Sequence, residues 1–373
     1  MLSKKRILCV VGTRPEAIKM APVILALKDT SWAQVRILAT AQHRELLDQV
    51  LALFGIKPDI DLNIMQSNQS LAELTGRLAI ALQDIMVNEK PDMVLAQGDT
   101  TTVMMTALIC FYRQVPFGHV EAGLRTGNRL FPFPEEANRV ITGYLSHLHF
   151  APTETARVNL LKEGVSDDSI IVTGNTVIDS LFLTIRKPVP LDLGLDKTKR
   201  LILVTAHRRE NFGSPFREIC RAIRELAERN PDIQFLYPLH PNPNITDVAQ
   251  EILSGHSRIV LCEPLNYAEF VSAMNQAYIL LTDSGGIQEE APALAKPVLV
   301  LRDETERPEA VEAGVVNLVG PNYERIITAT ERLLNDEKSY REMARGVTPY
   351  GDGHAAERII KAMQKFFTGR PAA

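Results

Sequence analysis

Short aliphatic runs recur along the chain at residues 7–11, 35–40, 93–96, 117–120, 148–151 and 170–173, and again at 201–205, 234–238, 258–261, 278–282, 297–301 and 315–318. Between them lie stretches of helical period, such as 71–88 and 216–229. A strand with one face in water alternates apolar and polar residues. These runs are nearly continuous instead, as a parallel strand covered on both faces requires. Strands of this kind alternating with helices predict an α/β chain with parallel sheets. The rhythm weakens between 174 and 199, where Lys187-Pro188-Val189-Pro190 and the polar Asp196-Lys197-Thr198-Lys199-Arg200 fall, so a linker is expected there. The expected organisation is two doubly wound Rossmann-like domains with a central cleft. The first covers 1–174, rejoined by a C-terminal helix at 354–368, and the second covers 175–353.

Composition excludes several classes of protein. With 373 residues, 45% hydrophobic and 23% charged, the chain can bury two ordinary cores. A formal charge of −4 provides no footprint for nucleic acid or an anionic membrane. Cys9, Cys110, Cys220 and Cys262 are scattered without CxxC spacing, so neither a metal site nor a disulfide framework is indicated and a cytoplasmic setting fits. The basic start Met1–Arg6 is followed by too short an apolar run for a signal peptide, and no run approaches the roughly 20 residues of a membrane span.

The turns after the predicted strands carry the chemistry. Tyr278–Thr282 passes through Asp283-Ser284-Gly285-Gly286 into Ile287-Gln288-Glu289-Glu290, a strand, a glycine turn and a helix start. Small residues let the backbone approach a ligand, and the amides and positive end of the helix attract phosphate. A first-turn carboxylate can take ribose hydroxyls. The bland reading is a structural turn, common in α/β proteins. Residues 7–11 open into Gly12-Thr13-Arg14-Pro15-Glu16-Ala17-Ile18-Lys19, where Pro15 suits a first helical turn and Arg14 can meet phosphate bidentately. Lys19 is a ligand group or a solvated charge. No GxGxxG or GxxxxGK[ST] is present here, which disfavours an ordinary dinucleotide fold or a P-loop ATPase.

Three acids stand in candidate proton-transfer positions: Asp99 in Gln97-Gly98-Asp99-Thr100, Glu121 in His119-Val120-Glu121-Ala122-Gly123, and Glu135 in Phe131-Pro132-Phe133-Pro134-Glu135-Glu136. Converging in a partly desolvated site, they could serve as acid and base. Their structural alternative is that Asp99 caps a helix and Glu135 or Glu136 opens one. Residues 201–205 lead to His207-Arg208-Arg209-Glu210-Asn211, placing an imidazole and paired arginines after a strand. His240 and the pair Gln42-His43 occupy comparable loops, and Arg307 follows the strand after the glycine turn.

In order along the chain, GTRPEAIKMAP, TAQHRELLDQVL, GDTTT, HVEAGLRTG, PFPEEANR, TGNTVID, HRREN, TDSGGIQEEAP and TERPEA resemble bacterial non-hydrolysing UDP-N-acetylglucosamine 2-epimerase. One departure is Gln97, where family members often carry histidine; it removes no acid or base. The resemblance implies a glycosyltransferase-B type fold, no metal or nicotinamide cofactor and a homodimer. The implied reaction interconverts UDP-GlcNAc and UDP-ManNAc by eliminating UDP to a 2-acetamidoglucal and re-adding it, supplying ManNAc for surface polysaccharide. It also implies Asp99, Glu121 and Glu135 as acid/base groups assisted by His207, with either acid on either face of the sugar. Arg14, Ser284, Gly285, Gly286 and Arg307 would hold the diphosphate, Glu290 the ribose, and Phe270 the uracil. Gln42, His43 and His240 would serve a second substrate site. A related 2-epimerase acting on a diacetamido uronic-acid sugar, a glycosyltransferase of the same fold and a non-catalytic nucleotide-sugar sensor are the competing expectations. No acceptor-binding stretch is evident for a transferase, and a sensor of an anionic diphosphate gains nothing from added carboxylates.

Overall fold

The computed structural model describes residues 4–40, 44–66 and 69–369. The chain forms two compact units: one runs to Leu183 and resumes at Tyr350, and the other spans Thr184–Pro349. The first contains β1 (Lys5–Val11), β2 (Ala33–Ala39), β3 (Ile60–Asp61), β4 (Met93–Gln97), β5 (Phe117–Val120), β6 (Leu148–Ala151) and β7 (Ile170–Val172) in a parallel sheet of order β3-β2-β1-β4-β5-β6-β7. The second contains β8 (Arg200–Thr205), β9 (Ile233–Pro238), β10 (Ile259–Cys262), β11 (Ala277–Thr282), β12 (Val298–Val300) and β13 (Val316–Leu318), ordered β10-β9-β8-β11-β12-β13. Both orders reverse at the first strand, the doubly wound arrangement.

Helices flank both sheets, which is why the central strands are apolar throughout: Ile7–Val11 of β1 are all buried. The Ser214–Arg229 helix shows how the second core is made. Phe216, Ile219, Cys220, Ile223 and Leu226 recur at helical spacing and are fully buried, while its arginines and glutamates face outward. Each such aliphatic or aromatic side chain contributes about 1.5–3 kcal/mol on leaving water.

The units meet in sequence at 183/184 and 349/350, against the 174/175 and 353/354 expected. Gly174 does break the chain, at a φ of +89°, but a helix, Thr176–Ile185, follows it directly. That helix is tied into the first unit. Ser180 Oγ donates to Ile18 O at 2.5 Å, and the buried Asp179 carboxylate accepts the amides of Ala355 (3.2 Å) and Ala356 (2.9 Å). Asp179 thereby caps the C-terminal Ala355–Thr368 helix, whose Phe367 meets Trp32 with ring centroids 5.9 Å apart. The strand β3 lacks a predicted counterpart because two residues make no recognisable apolar run.

Candidate active site

In each sheet the loops leave in opposite directions on either side of the first strand, opening a crevice at the carboxyl ends where such folds bind ligands. The relevant turns follow β1 and β4 in the first unit, and β8 and β11 in the second.

Gly12 follows β1 where the chain passes close to the side chain after the neighbouring strand: a Cβ there would lie 2.6 Å from Thr40 Oγ1. Thr13 caps the Arg14–Lys28 helix in a capping box with Glu16, and Pro15 lies in the first turn as its fixed φ favours. Glu16 Oε2 accepts the amides of Gly12 (2.5 Å) and Thr13 (3.1 Å). Burial pushes this carboxyl up to about 7 despite those bonds. An internal carboxylate thus takes amide donors at a helix end that would otherwise suit a bound anion. Arg14, at the first helical position, is half-buried.

Lys19, on the same helix, reaches Glu121 Oε1 at 2.5 Å. Asn175 Nδ2 donates to that oxygen at 2.8 Å, and Gln97 Nε2 donates to Oε2. Gln97 pairs with Val120 across β4 and β5, so sheet register sets its amide beside the next residue, Glu121. Glu121 has a φ of +65°, a left-handed conformation that costs a non-glycine residue about 1 kcal/mol or more and is frequent at functional sites. Behind it, His119 Nε2 lies 2.7 Å from Gly98 O, and burial drives the imidazole down to about 3, so it is neutral.

Asp99 does not cap the helix that follows; the Thr100 hydroxyl does, accepting from Val103 N. The Asp99 carboxylate pairs with Arg139 Nη2 at 2.7 Å, and Arg139 Nη1 reaches Glu136 at 3.0 Å. Glu135 opens the Glu135–Leu145 helix and is half-buried, whereas the buried member of the pair is Glu136, which accepts the amides of Thr126 (2.9 Å) and Gly127 (3.0 Å). Asp99, Arg139 and Glu136 form one network; Glu121 is held by a different set of donors. Gln42 and His43 lie outside the described residues.

In the second unit, β8 and β11 end with Thr205 Oγ1 and Thr282 Oγ1 at 2.6 Å. Ser284 is the N-cap of the Gly285–Ala293 helix but makes no side-chain cap bond, and no acidic residue occupies the first turn. The contrast with Glu16 is chemical: here no internal carboxylate competes with an anion for the helix end. Arg208 approaches the turn, its Nη2 being 3.9 Å from where a Cβ on Gly285 would stand. Glu290 lies past the first turn, not in it; it is buried and accepts the Tyr267 hydroxyl at 3.0 Å. Phe270, half-buried, is on the same Tyr267–Gln276 helix as Tyr267. Arg307 Nε donates to the buried Glu289.

His207 stacks on His240, with centroids 5.7 Å apart and planes at 15°. Burial lowers its proton affinity, with Arg208 and His240 acting in the same sense and Asp283 opposing them. Sequence reasoning did not assign Gln97, Asn175, Glu136, Arg139, Arg208 or Asp283 to the site, although each lies within a quoted motif. Among the described residues no group of three or more His, Cys, Asp or Glu could hold a metal ion, and no helix is long and apolar enough to cross a membrane.

The topology and the polar turns at the carboxyl ends of both sheets define the class: an α/β protein of two doubly wound Rossmann-like units, the organisation of the glycosyltransferase-B type. The profile of the family described as UDP-N-acetylglucosamine 2-epimerase matches residues 25–364. The chain is 52% identical over 369 residues to the UDP-N-acetylglucosamine 2-epimerase of Yersinia pestis, covering 96% of this chain and 98% of the relative. Identity to that of Escherichia coli K12 is 52% over 370 residues, with 96% and 98% covered. A solved UDP-GlcNAc 2-epimerase from Neisseria meningitidis, bound to UDP-GlcNAc, is similar at a TM-score of 0.88 with 49% identity, covering 96% of this chain and 100% of that one. The chain belongs to the UDP-N-acetylglucosamine 2-epimerase family, and is an isomerase by that membership.

Proposed function

We propose that the chain interconverts UDP-GlcNAc and UDP-ManNAc by eliminating UDP to a 2-acetamidoglucal and re-adding it. Carbon 2 of the sugar has no adjacent carbonyl, so its proton cannot be acidified by simple enolisation. In elimination a base takes that proton, the released electron pair forms the C1–C2 double bond, and the C1–O bond breaks with its pair leaving on the diphosphate. In return UDP adds at C1 while an acid delivers a proton to the opposite face of C2. Such proton transfers contribute about 10²–10⁴ in rate.

The observation that carries this reading is Glu121, fixed in a left-handed conformation at a strand end with donors on both carboxylate oxygens. A protein that only stored an anionic nucleotide sugar would gain nothing from a carboxylate that takes up the charge of Lys19. Asp99 and Glu135 are the further acid/base candidates, and His207 assists. Ser284, Gly285, Gly286 and Arg307, with Arg14, would hold the diphosphate, Glu290 the ribose, and Phe270 the uracil. The product would be the activated ManNAc that surface-polysaccharide synthesis consumes.

The test is proton NMR of the purified protein in deuterated water with UDP-GlcNAc, without added metal or nicotinamide. A mixture of the two nucleotide sugars carrying deuterium at C2 is expected. Product without deuterium, or a requirement for NAD, would reject the elimination route, and free ManNAc as the main product would indicate a hydrolysing enzyme.

The homodimer is part of the same proposal. The helices Leu71–Glu89, Thr101–Tyr112 and Glu135–Leu145 pack in series, yet their exposed residues include Ile80 (70%), Phe111 (56%), Tyr112 (65%), Ile141 (43%) and Tyr144 (86%). The central helix, TTVMMTALICFY, has no charged residue. A helix apolar all round is normally covered on all sides, and interface cores are depleted in charge and rich in aromatics. A second copy of this chain offers the matching apolar face.

A further inference from the structure

Asp283 follows β11 and is fully buried. Its Oδ2 accepts three donors: the amides of His207 (2.8 Å) and Arg208 (2.8 Å), and Asn211 Nδ2 (3.1 Å). Its Oδ1 has no hydrogen-bond partner, which is uncommon for a buried carboxylate oxygen, and lies 3.8 Å from His207 Nδ1. The three donors pin the carboxylate. The imidazole, on a loop and 40% exposed, is the member free to turn. A ring movement of about 1 Å would bring the two atoms to hydrogen-bond distance.

We infer that Asp283 is a positioning residue for His207, holding the imidazole with Nδ1–H toward Oδ1 and leaving Nε2 on the far side of the ring to exchange a proton with substrate. This rests on the reading that His207 serves the reaction. One carboxylate then does two jobs: Oδ2 staples the loop after β8 to the turn after β11, and Oδ1 selects the tautomer. The buried aspartate of a serine-protease triad sets its histidine in the same way. The charged and titratable groups facing His207 are Asp283 from the turn after β11, His240 from the loop after β9, and Arg208 from its own loop. Of these only Asp283 favours the imidazolium, so its loss should move His207's titration to lower pH.

The experiment is nitrogen-15 NMR of histidine-labelled protein, wild type and Asp283→Asn, with turnover and UDP calorimetry on both. The substitution keeps one oxygen for the three loop donors and turns an NH₂ group toward Nδ1. Wild-type His207 should be the Nδ1–H tautomer above its titration. Asp283→Asn should switch it to Nε2–H, shift its titration to lower pH and reduce kcat on the order of 10²-fold with UDP affinity within about threefold. An Nε2–H tautomer in the wild type, or an unchanged tautomer and titration in Asp283→Asn, overturns the proposal. The wild-type measurement decides alone if the variant does not fold. Full kcat in His207→Gln would remove His207 from the reaction and sink the reading beneath the proposal, whereas an Nε2–H tautomer in the wild type together with a low kcat in His207→Gln sinks the proposal alone.

Discussion

Lys19 and Glu121 meet at 2.5 Å with side chains only 18% and 6% exposed, so each supplies the other's counter-charge where water screens little. Lys19→Met leaves the carboxylate buried without that charge and should lower stability by about 3 kcal/mol, whereas Glu121→Gln should cost less, because Lys19, the charge that then loses this partner, is the more exposed member of the pair. Urea unfolding of the two variants measures this. Equal stability of Lys19→Met and wild type would show the pair to be solvated. Glu121→Gln should also lower kcat about 10²–10⁴-fold while leaving UDP affinity within about threefold.

Ser284 offers an opposed pair of effects. Ser284→Asp places a carboxylate at an N-cap that now lacks a side-chain bond, which should stabilise the helix by about 1 kcal/mol. The same charge would compete with a diphosphate for the helix end, so UDP should bind at least tenfold more weakly. Arg14→Ala should weaken UDP without the gain in stability. Calorimetry and thermal unfolding on the two variants separate the terms, and unchanged UDP affinity in Ser284→Asp would place the diphosphate elsewhere.

Two buried groups set opposite pH dependences. Glu16 is raised from 4.5 to about 7, so it binds a proton more tightly when folded, and its contribution is full below about 4.5 and lost as pH rises through about 7. His119 is lowered from 6.5 to about 3, so its contribution is present above 6.5 and lost as pH falls toward about 3. Glu16→Gln should therefore gain stability relative to wild type between pH 4.5 and 7, by up to ~3 kcal/mol. Unfolding at several pH values gives the difference curve; a flat one would mean that Glu16 titrates normally.

The exposed Tyr144 and Phe111 test the dimer. Tyr144→Asp and Phe111→Asp should each shift the particle from twice the chain mass to the chain mass in light scattering. A wild-type monomer at micromolar concentration would reject the second copy as the occupant of that face.

The parallel sheets were legible because strands covered on both faces must be apolar along their whole length. The short β3 was not, and Gly174 read as the start of a linker because the bonds tying Thr176–Ile185 to Ile18 and to the C-terminal helix join residues 162 and more apart. The motifs located the candidate residues but not their partners. Glu135 and Glu136 are adjacent in sequence, and only the fold of the 126–127 loop makes Glu136 the buried one. Gln97 and Asn175 converge on Glu121 through strand register and a turn 54 residues away. Asp283 read as part of a glycine turn, since its partners come from a loop 72 to 76 residues earlier.

The left-handed backbone at Glu121 bears on how this chain can be changed. Glycine would relax that conformation, yet it would also take away the acceptor on which Lys19, Gln97 and Asn175 converge, so backbone strain and ion pairing act on stability in opposite senses at this one position. The strain is therefore not a defect for a thermostable variant to repair, and stabilising substitutions should be sought at other sites with residue 121 held fixed.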